Sequence, residues 1–432
     1  MIVCKFGGSS LADEKQFRKV KAIIESDSRR TIAVVSAPGK RDSGDEKITD
    51  MLYQCNALAQ KNQSCRPVFD KIASRYIGIA EALRLDVSRL TAALDEVRQN
   101  IDAGRGTDYA ASRGEYLSGQ LMAQYLGWQF IEPAECIVIN SDGTVNPLSY
   151  ERLANLISDG GHYVIPGFYG ATEQGVIKTF SRGGSDISGA IAARAAKADL
   201  YENWTDVSGM YAADPRIVPD AKVIDEITYT QVRELSDVGA SVFHEEAIAP
   251  VIDLQIPINI RNTNDPDAPG TVIKATSEKS GIIGVSAKGG YSKLKLRKLM
   301  MFKRPGMRHA MLTMLHLYGV RPSFSFFGID SIVWYFESSQ ANDSVLTSMI
   351  DRLKKDFRLD YVYYERNHAM LGIVGGHLED DTSFITACAA LRDAGIKINN
   401  VNYGSSNATT LIGVNDCDAK RAVEVIYRAL FS

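Results

Sequence analysis

The chain has 432 residues, with 49 lysines and arginines against 52 aspartates and glutamates and a formal net charge of −3. This near balance excludes a strongly basic surface for nucleic acid or anionic lipid, and the length predicts two or three domains rather than one core. No apolar run approaches membrane-spanning length and no signal-peptide pattern precedes the first strand, which indicates a cytoplasmic protein without a membrane or nucleic-acid partner.

The first predicted elements are a buried strand at residues 2–4, a Gly-Gly-Ser-Ser turn at residues 7–10 and a helix that begins after Asp13. A glycine turn at a helix start leaves backbone N–H groups free for an anion such as phosphate, and Lys5 adds a full positive charge beside it. The same stretch also fits a plain tight turn with a lysine that extends to solvent.

Further along, apolar runs typical of strands alternate with helical patterns, which favours an α/β fold with a largely parallel sheet covered by helices. Residues 61–104 have a helical pattern and predict a helical insertion. The later predicted strands lie at residues 31–37, 135–140, 162–168, 198–205 and 256–262.

A second glycine pair lies between Arg182 and Ser185, where a helix of small apolar residues begins. This is again a helix start suited to an anion, and the planar guanidinium of Arg182 can bind a carboxylate through two hydrogen bonds. Asp186 can hold an ammonium group, so Lys5 and Asp186 are predicted partners. The alternative for Arg182 is an ordinary surface ion pair.

The stretch at residues 202–222 predicts a long loop after a strand, a place where functional residues often lie. It contains Asp206, Tyr211 and Arg216; a tyrosine ring can cover a purine, and an arginine can bind phosphates. The same residues also fit a simple turn capped by Asp-Pro-Arg.

Beyond the polar, glycine-rich residues 276–293, two similar helix and two-strand patterns follow. The glycine pairs at 319 and 328 and at 395 and 404 have the same nine-residue spacing, with a helix before and a strand after the first glycine of each pair. These units resemble a tandem pair of ACT domains, which sense small molecules in amino-acid metabolism. The alternative is that two α+β units occur together for packing alone.

Four motifs, in this order and followed by the ACT-like units, resemble those of the aspartokinases, a branch of the amino acid kinase family: KFGGSS (5–10), SRGEYLSG (112–119), SRGGSDISGA (181–190) and TDVSGMYAADPRIVP (205–219). The resemblance implies an amino acid kinase fold followed by two α+β ACT-like regulatory units of βαββαβ type. It also implies ATP-dependent phosphorylation of the side-chain carboxylate of L-aspartate to give 4-phospho-L-aspartate and ADP.

The resemblance further assigns residues to roles within these motifs and within residues 36–52. It implies that Lys5 acts at the phosphates with Gly7, Gly8 and Ser9, and that Asp186 orients Lys5. It implies that Arg182 binds the α-carboxylate of aspartate and Glu115 its ammonium group, beside Ser36, Thr49 and Ser185. It implies that Thr205, Asp206, Tyr211 and Arg216 hold ATP. Mg²⁺ is expected on the phosphates, since the sequence shows no carboxylate cage for it.

For the domains, we expect a catalytic part at residues 1–290 and a regulatory part at 291–432. Its ACT-like units are expected at about 295–365 and 366–432, either in succession or interleaved. An amino-acid effector is expected there. The apolar strands at 331–337 and 409–414 predict a covering partner, and hence a homodimer or larger homo-oligomer.

Some residues depart from the pattern of the family. Ser9 stands where threonine is common, and Ser241 stands where many aspartokinases carry a lysine that faces the nucleotide. Ser323 and Phe327 replace polar contacts to the effector, so the response to lysine or threonine is expected to be weak or altered. His244, beside Ser241, fits a cap or packing residue better than a catalytic base.

Two alternatives remain open. Another carboxylate kinase of the same fold, acting on acetylglutamate or glutamate, would share the sheet and glycine turns but would not predict residues 112–119 together with two ACT-like units. A catalytically silent amino-acid sensor would use the ACT-like units alone, and the presence of Lys5, Arg182 and Asp186 argues against it.

Overall fold

The computed structural model describes residues 1–181, 183–240, 243, 245–279, 281–376, 382–404 and 408–431. The chain divides into two compact units, which we call the first and second units. The first unit comprises Met1–Met210, Val223–Val232 and Ser241–Ser277, and the second comprises Tyr211–Lys222, Arg233–Ala240 and Glu278–Ser432. The functional roles expected for the two parts of the chain stay predictions.

The first unit is built around one large sheet with helices packed against it. Its strands are β1 (Ile2–Phe6), β2 (Arg30–Val35), β3 (Gln129–Phe130), β4 (Tyr163–Pro166), β5 (Tyr169–Ala171), β6 (Ile177–Thr179), β7 (Leu200–Thr205), β8 (Glu226–Thr228), β9 (Ile258–Asn262) and β10 (Thr271–Lys274). Its helices are α1 (Glu14–Glu25), α2 (Ile48–Ala59), α3 (Arg66–Ala82), α4 (Ser88–Asp102), α5 (Thr107–Leu126), α6 (Pro133–Cys136), α7 (Leu148–Leu156), α8 (Gly184–Ala195), the start of α9 (Tyr229–Asp237) and α10 (Ala249–Ile252).

The eight-stranded sheet has the order β3-β4-β2-β1-β7-β9-β10-β8. The strands from β3 to β9 in this order are parallel, so the carboxyl ends of β1, β2, β4, β7 and β9 meet at one edge. The chain runs from β1 towards β2 on one side and later returns to place β7 on the other side of β1. Ligands of open α/β sheets bind at such a switch point, outside the carboxyl ends of the strands.

Most predicted elements of the first unit are confirmed. The side chain of Asp13 accepts a hydrogen bond from the backbone N–H of Gln16 (2.9 Å) and caps α1, whose apolar residues are buried. Helices α3 and α4 lie within the predicted helical segment at 61–104, and together with α2 and α5 they enclose a buried apolar core.

The predicted strand at 135–140 is wrong. Pro133 begins the short helix α6, whose first turn is capped by the side chain of Glu132, so the chain is helical through Cys136. Only isolated bridges follow, Val138 with Ala171 and Ile139 with Val145. The apolar run is buried, and burial without periodicity does not distinguish a strand from an irregular core segment.

The second unit contains one antiparallel six-stranded sheet of order β12-β13-β11-β14-β16-β15. Its elements are β11 (Gly281–Arg297), α11 (Met307–Leu317), β12 (Phe324–Phe327), β13 (Ser331–Glu337), α12 (Asp343–Phe357), β14 (Tyr361–Gly376), α13 (Thr382–Asp393), β15 (Asn400–Asn402), β16 (Thr409–Asn415) and α14 (Ala419–Phe431).

Two βαββαβ arrangements share the long strands β11 and β14. The second half of β11, α11, β12, β13, α12 and the first half of β14 form one of them. The other uses the second half of β14, then α13, β15, β16 and α14, and is completed by the first half of β11. The predicted fold class, an α/β sheet followed by two ACT-like units, is confirmed.

The expected covering partner of β13 and β16 stays a prediction, although much of their apolar content is already buried within the second unit. In β13, Ile332, Trp334 and Phe336 are at most 2% exposed, because they pack in the core of the unit itself. The exposed large apolar side chains include Phe327, at the end of the edge strand β12 and 60% exposed, and Ile329, which follows the strand and is 78% exposed.

A separate finding concerns the helices of both units. Among the described residues, no helix combines the length and apolar character that a membrane crossing requires.

Candidate active site

Lys5 and Asp186, predicted as partners, form an ion pair at the carboxyl ends of β1 and β7. The Nζ atom of Lys5 lies 2.5 Å from Oδ1 of Asp186, which stands in the first turn of α8. Asn203 is paired with Lys5 across the two parallel strands. Its Nδ2 donates to Asp186 Oδ1 (2.8 Å) and its Oδ1 accepts from Lys5 Nζ (3.5 Å). The three side chains thus hold the ammonium group in one position.

Asn203 is a residue of the site that the sequence motifs do not predict. One sequence feature could have indicated it: Glu202 and Asn203 are polar residues within an otherwise apolar strand pattern. Both side chains are buried in β7. Alternate strand residues point to opposite faces, so only the register of β7 against β1 shows that Asn203 shares the face of Lys5.

The glycine turn after β1 lies directly beside Lys5. Gly7 N–H donates to the carbonyl of Trp204 (2.9 Å), and a 3-10 turn follows at Gly8–Leu11. A Cβ placed on Gly7 would lie 3.6 Å from Lys5 Nζ, so a side chain there would occupy space next to the ammonium group. Ser9, within the turn, is partly exposed. Backbone N–H groups and a cation at one strand end are a suitable cradle for phosphate oxygens.

The loop after β2 contacts this turn through its backbone. Gly39 N–H donates to the carbonyl of Gly8 (2.7 Å), and a Cβ on Gly39 would lie only 2.7 Å from the carbonyl carbon of Gly8. Glycine is therefore required at position 39 by close approach. Ser36 begins this loop, buried, with its N–H bonded to the carbonyl of Phe6 (3.2 Å). Thr49 is half-buried in the first turn of α2.

Glu115 is a buried carboxyl group next to the same loop. It is 6% exposed, and its Oε2 atom has no hydrogen-bond partner among the described residues. Burial raises the pKa of Glu115 to about 8, although the backbone N–H of Ala37 and the charge of Arg113 act to lower it. A Cβ on Gly114 would lie 2.7 Å from Cβ of Ala37, which shows how closely α5 packs on the loop. An unpaired buried carboxyl group is suited to bind a cation.

The start of α8 packs against the end of β4. Gly167 N–H donates to the carbonyl of Val35 (2.8 Å), and a Cβ on Gly167 would lie 2.7 Å from Oγ of Ser185. The backbone N–H of Phe168 donates to Ser188 Oγ (3.0 Å). Ser185 is thereby placed at the same edge of the sheet as Lys5. Arg182 lies outside the described residues.

The four residues expected to hold ATP are divided between the two units: Thr205 and Asp206 belong to the first, Tyr211 and Arg216 to the second. Thr205 ends β7, and its Oγ1 donates to Asp206 (3.2 Å). The side chain of Arg216 is 89% exposed and forms an ion pair with Asp214 (2.7 Å). A phosphate contact would therefore require Arg216 to exchange its partner. Ser241 and His244 lie outside the described residues.

The cluster at the edge of the sheet has two chemically different parts. Lys5 and the turn at Gly7–Ser9 favour an anion with several oxygens, and Glu115 favours a cation. Among the described residues, no group of three or more His, Cys, Asp or Glu side chains could hold a metal ion. Such a site can bind an anion with several oxygens at Lys5 and an ammonium group at Glu115.

Residues 1–262 match the amino acid kinase family. The whole chain is similar to Aspartokinase 3 of Bacillus subtilis (strain 168), with 33% identity over 449 aligned residues that cover 100% of this chain and 99% of that protein. Among solved structures, the chain resembles the aspartate kinase of Clostridium acetobutylicum, described as an allosteric enzyme, with 41% identity, a TM-score of 0.89 and 99% of both chains covered.

The chain also resembles aspartokinase III of Escherichia coli in two states. The complex of that enzyme with aspartate and ADP, its R-state, gives 26% identity and a TM-score of 0.79. Its complex with lysine and aspartate, the T-state, gives 25% identity and a TM-score of 0.76. Both comparisons cover 100% of the two chains.

Proposed function

Because the chain belongs to the amino acid kinase family and, within it, to the aspartokinases, we propose that the cluster around Lys5 is an aspartate kinase active site. The enzyme transfers the γ-phosphoryl group of ATP to the side-chain carboxylate of L-aspartate and releases 4-phospho-L-aspartate and ADP. This reaction is the first step towards lysine, threonine and methionine. The observation that carries the assignment of the site is the Lys5–Asp186 ion pair beside the glycine turn.

The chemistry of the reaction explains why a lysine matters more here than a base. A side-chain carboxylate is already ionised at neutral pH, so the nucleophile needs no deprotonation. The main barrier is the repulsion between this carboxylate and the phosphates, together with charge on the transferred group. We assign Lys5 to neutralise that charge and Asp186 and Asn203 to hold its ammonium group in place. The backbone N–H groups of the turn supply further stabilisation.

The backbone charges of aspartate are assigned to Glu115 and Arg182. Support for Glu115 comes from its buried Oε2, which lacks a partner among the described residues and could accept from the substrate ammonium group. Arg182 is proposed for the α-carboxylate because of its planar, two-pronged guanidinium. Ser36, Thr49 and Ser185 are proposed to line the space between these groups and the phosphoryl site.

The nucleotide is assigned to the turn at Gly7, Gly8 and Ser9 and to Thr205, Asp206, Tyr211 and Arg216. Mg²⁺, when bound, would sit on the phosphate oxygens and offset their charge, as in other phosphoryl-transfer enzymes.

For the second unit, we propose control of the kinase by an amino acid. Support comes from its two ACT-like arrangements and from the lysine complex of Escherichia coli aspartokinase III. A homodimer or larger homo-oligomer is proposed as the assembly, with the effector near the turn after Gly319 or at residues 404–407, of which 405–407 lie outside the described residues. A cytoplasmic location is proposed with it.

The test is a coupled assay of ADP release from the full chain. L-Aspartate, acetylglutamate and glutamate are compared as acceptors, and aspartate is then tested with and without lysine, threonine and methionine. We expect turnover with aspartate alone among the three acceptors. Turnover with acetylglutamate or glutamate instead would favour the other carboxylate kinases, and tight amino-acid binding without turnover would favour a silent sensor.

A further inference from the structure

Arg75 is a buried arginine in α3 that bonds to the chain before α1 and to the loop between β2 and α2. It is 8% exposed, and its guanidinium donates from Nε and Nη2 to the carbonyl of Ala12 (3.1 and 2.8 Å). Nη2 also donates to the carbonyl of Gly39 (2.7 Å), and Nη1 donates to Oδ2 of Asp45 (2.6 Å). One rigid, planar group thus fixes two backbone carbonyls and one carboxylate.

One carbonyl follows the glycine turn after β1, and the other belongs to the loop that contacts this turn. Ala12 directly follows the 3-10 turn at Gly8–Leu11, and Gly39 is the residue whose N–H bonds to Gly8. Arg75 therefore holds the outer end of the first loop and the middle of the second, while the Gly8–Gly39 bond joins them in between. A shift of Arg75 would move both loops relative to Lys5.

Asp45 links Arg75 to a second, more exposed arginine, Arg41. Its carboxylate also accepts from Nε and Nη2 of Arg41 (3.0 and 2.9 Å) and from the Arg41 backbone N–H (3.0 Å). Arg41 is 52% exposed, whereas the side chain of Asp45 is 11% exposed. A cavity of about 450 Å³ adjoins these residues and leaves room for water beside a shortened side chain at position 75.

We propose that Arg75 is a positioning residue for phosphoryl transfer. It keeps the Gly8 and Gly39 loops at a fixed spacing beside Lys5, and Asp45 keeps Arg75 oriented. The inference rests on the proposed kinase function but concerns a side chain that no assigned substrate contact includes. A residue that only stabilised the fold would lower the melting temperature without changing kcat of the folded enzyme.

The test compares Arg75→Lys with Arg66→Lys, an exposed arginine on the same helix, 72% exposed and 3.8 Å from Asp70. Lysine keeps the charge but presents its donors from a single nitrogen, and it lacks the planar fork with which Arg75 reaches both carbonyls and Asp45. We expect kcat of Arg75→Lys to fall about 10- to 100-fold, since a displacement near 1 Å has effects of this size. The KM for aspartate should change less than about threefold, because Arg75 is assigned no substrate contact. Arg66→Lys should leave both values unchanged.

Asp45→Asn provides a milder variant, which removes one charged bond and keeps the two carbonyl contacts. We expect a smaller fall in kcat, and no further fall when it is combined with Arg75→Lys, because Asp45 acts through Arg75. Arg41→Gln, which removes only the exposed partner of Asp45, should change kcat little. If Arg75→Lys does not fold, the proposal is tested with Asp45→Asn alone. An unchanged kcat in a folded Asp45→Asn protein then overturns the proposal.

Amide hydrogen exchange separates this inference from the proposed function. In Arg75→Lys, exchange at residues 7–12 and 36–45 should rise relative to wild type and to Arg66→Lys. A wild-type protein without aspartate kinase activity would refute the proposed function, and the exchange data would still test the positioning of the loops. Unchanged exchange in both loops, or normal kcat in folded Arg75→Lys, overturns the inference.

Discussion

The ammonium group of Lys5 lies 2.5 Å from the carboxylate of Asp186, and the two side chains are only 10% and 15% exposed. In such a partly buried pair, both charges are weakly screened, and the position of each depends on the other. Asn203 bonds to both members and is carried by the strand next to β1. The pair therefore sets where positive charge is offered at the edge of the sheet.

Replacement of Lys5 by alanine should lower kcat by about 10²-fold or more, because the charge is needed most while the phosphoryl group is being transferred. The KM for aspartate should change little. Steady-state kinetics of the purified variant, with circular dichroism to confirm folding, check this. The control is Lys61→Ala, an exposed lysine after α2, which should behave as wild type. A folded Lys5→Ala protein with near-normal kcat would contradict the role.

The raised pKa of Glu115, about 8 because of burial, predicts a pH dependence of substrate binding. Below this pH the free enzyme holds Glu115 largely neutral, and an ammonium ligand favours the carboxylate form, so aspartate binding should release a proton. The KM for aspartate should fall as pH rises from about 6 to 8, and calorimetry in buffers of different ionisation enthalpy should detect the released proton.

Glu115→Gln tests the same assignment through stability. Because the pKa of the folded state is raised, the folded protein binds the proton more tightly than the unfolded chain, and Glu115 lowers stability progressively as pH rises towards 8. The variant should therefore gain more in melting temperature at pH 8 than at pH 5, while its KM for aspartate rises and loses its pH dependence. A KM profile that stays identical to wild type would exclude contact with the ammonium group.

Arg182→Lys is expected to raise the KM for aspartate strongly and leave the KM for ATP nearly unchanged, because an ammonium group cannot form the two-pronged bond to a carboxylate. The prediction comes from the sequence motif alone. Initial rates with each substrate varied in turn provide the measurement. Equal effects on both KM values would show that Arg182 does not bind the α-carboxylate of aspartate.

Glu202, in β7, is the centre of a buried ionic network. It accepts from Arg30 (2.8 and 3.0 Å), from Arg261 (3.3 Å) and from the indole N–H of Trp204 (3.0 Å). Burial acts to raise the pKa of Glu202, but the hydrogen bonds and charge of Arg30 outweigh it and lower the pKa overall. The stabilisation is therefore present at neutral pH and is lost as pH falls through the folded-state pKa.

Glu202→Gln should destabilise the protein by roughly 3–5 kcal/mol at pH 7, because two arginines lose a buried partner. Thermal or urea unfolding measures this, and the difference from wild type should shrink in acid. The matched control is Glu25→Gln, from the exposed pair with Lys21, which should change stability by less than about 0.5 kcal/mol. An equal effect of the two substitutions would refute the network as a source of stability.

The second unit is expected to control the kinase within an assembled enzyme. Light scattering on the full chain should give at least a dimer. Lysine or threonine should have weak effects on kcat, since Ser323 and Phe327 depart from the usual contacts to an effector.

Phe327→Asp, at a 60% exposed position on the edge strand β12, should weaken assembly and leave kcat without effector unchanged. A monomeric wild type, or strong inhibition by lysine, would contradict this.

The full chain is needed for that test, because the second unit is not one continuous stretch. Residues 211–222 pack with it: Asp220 pairs with Arg428 (2.6 Å), and the backbone N–H of Lys222 donates to Tyr427 Oη (3.0 Å). A cut near residue 290 would also fall inside β11. A truncated protein would lose these contacts, and a change in its activity would not isolate regulation.

The sequence by itself determined the fold class and the Lys5–Asp186 pair, because both follow from local signals. Alternating strand and helix patterns specify a covered parallel sheet, and a charged residue beside a glycine pair marks a strand end. A second glycine pair, at the start of a helix, places Asp186, and opposite charges beside two such glycine pairs are natural partners. The ACT-like repeats were recognisable for the same reason, through the regular spacing of helix-capping glycines.

Only the tertiary structure decided which other side chains belong to the site. Asn203 reaches Lys5 through the register of two strands 198 residues apart, and Arg75 reaches Gly39 because α3 packs over a loop that no local pattern connects to it. The burial that raises the pKa of Glu115 and the cover over β13 likewise depend on packing between distant segments. Local patterns report the propensity of each segment, whereas register and burial are set by the contacts that form when the segments pack together.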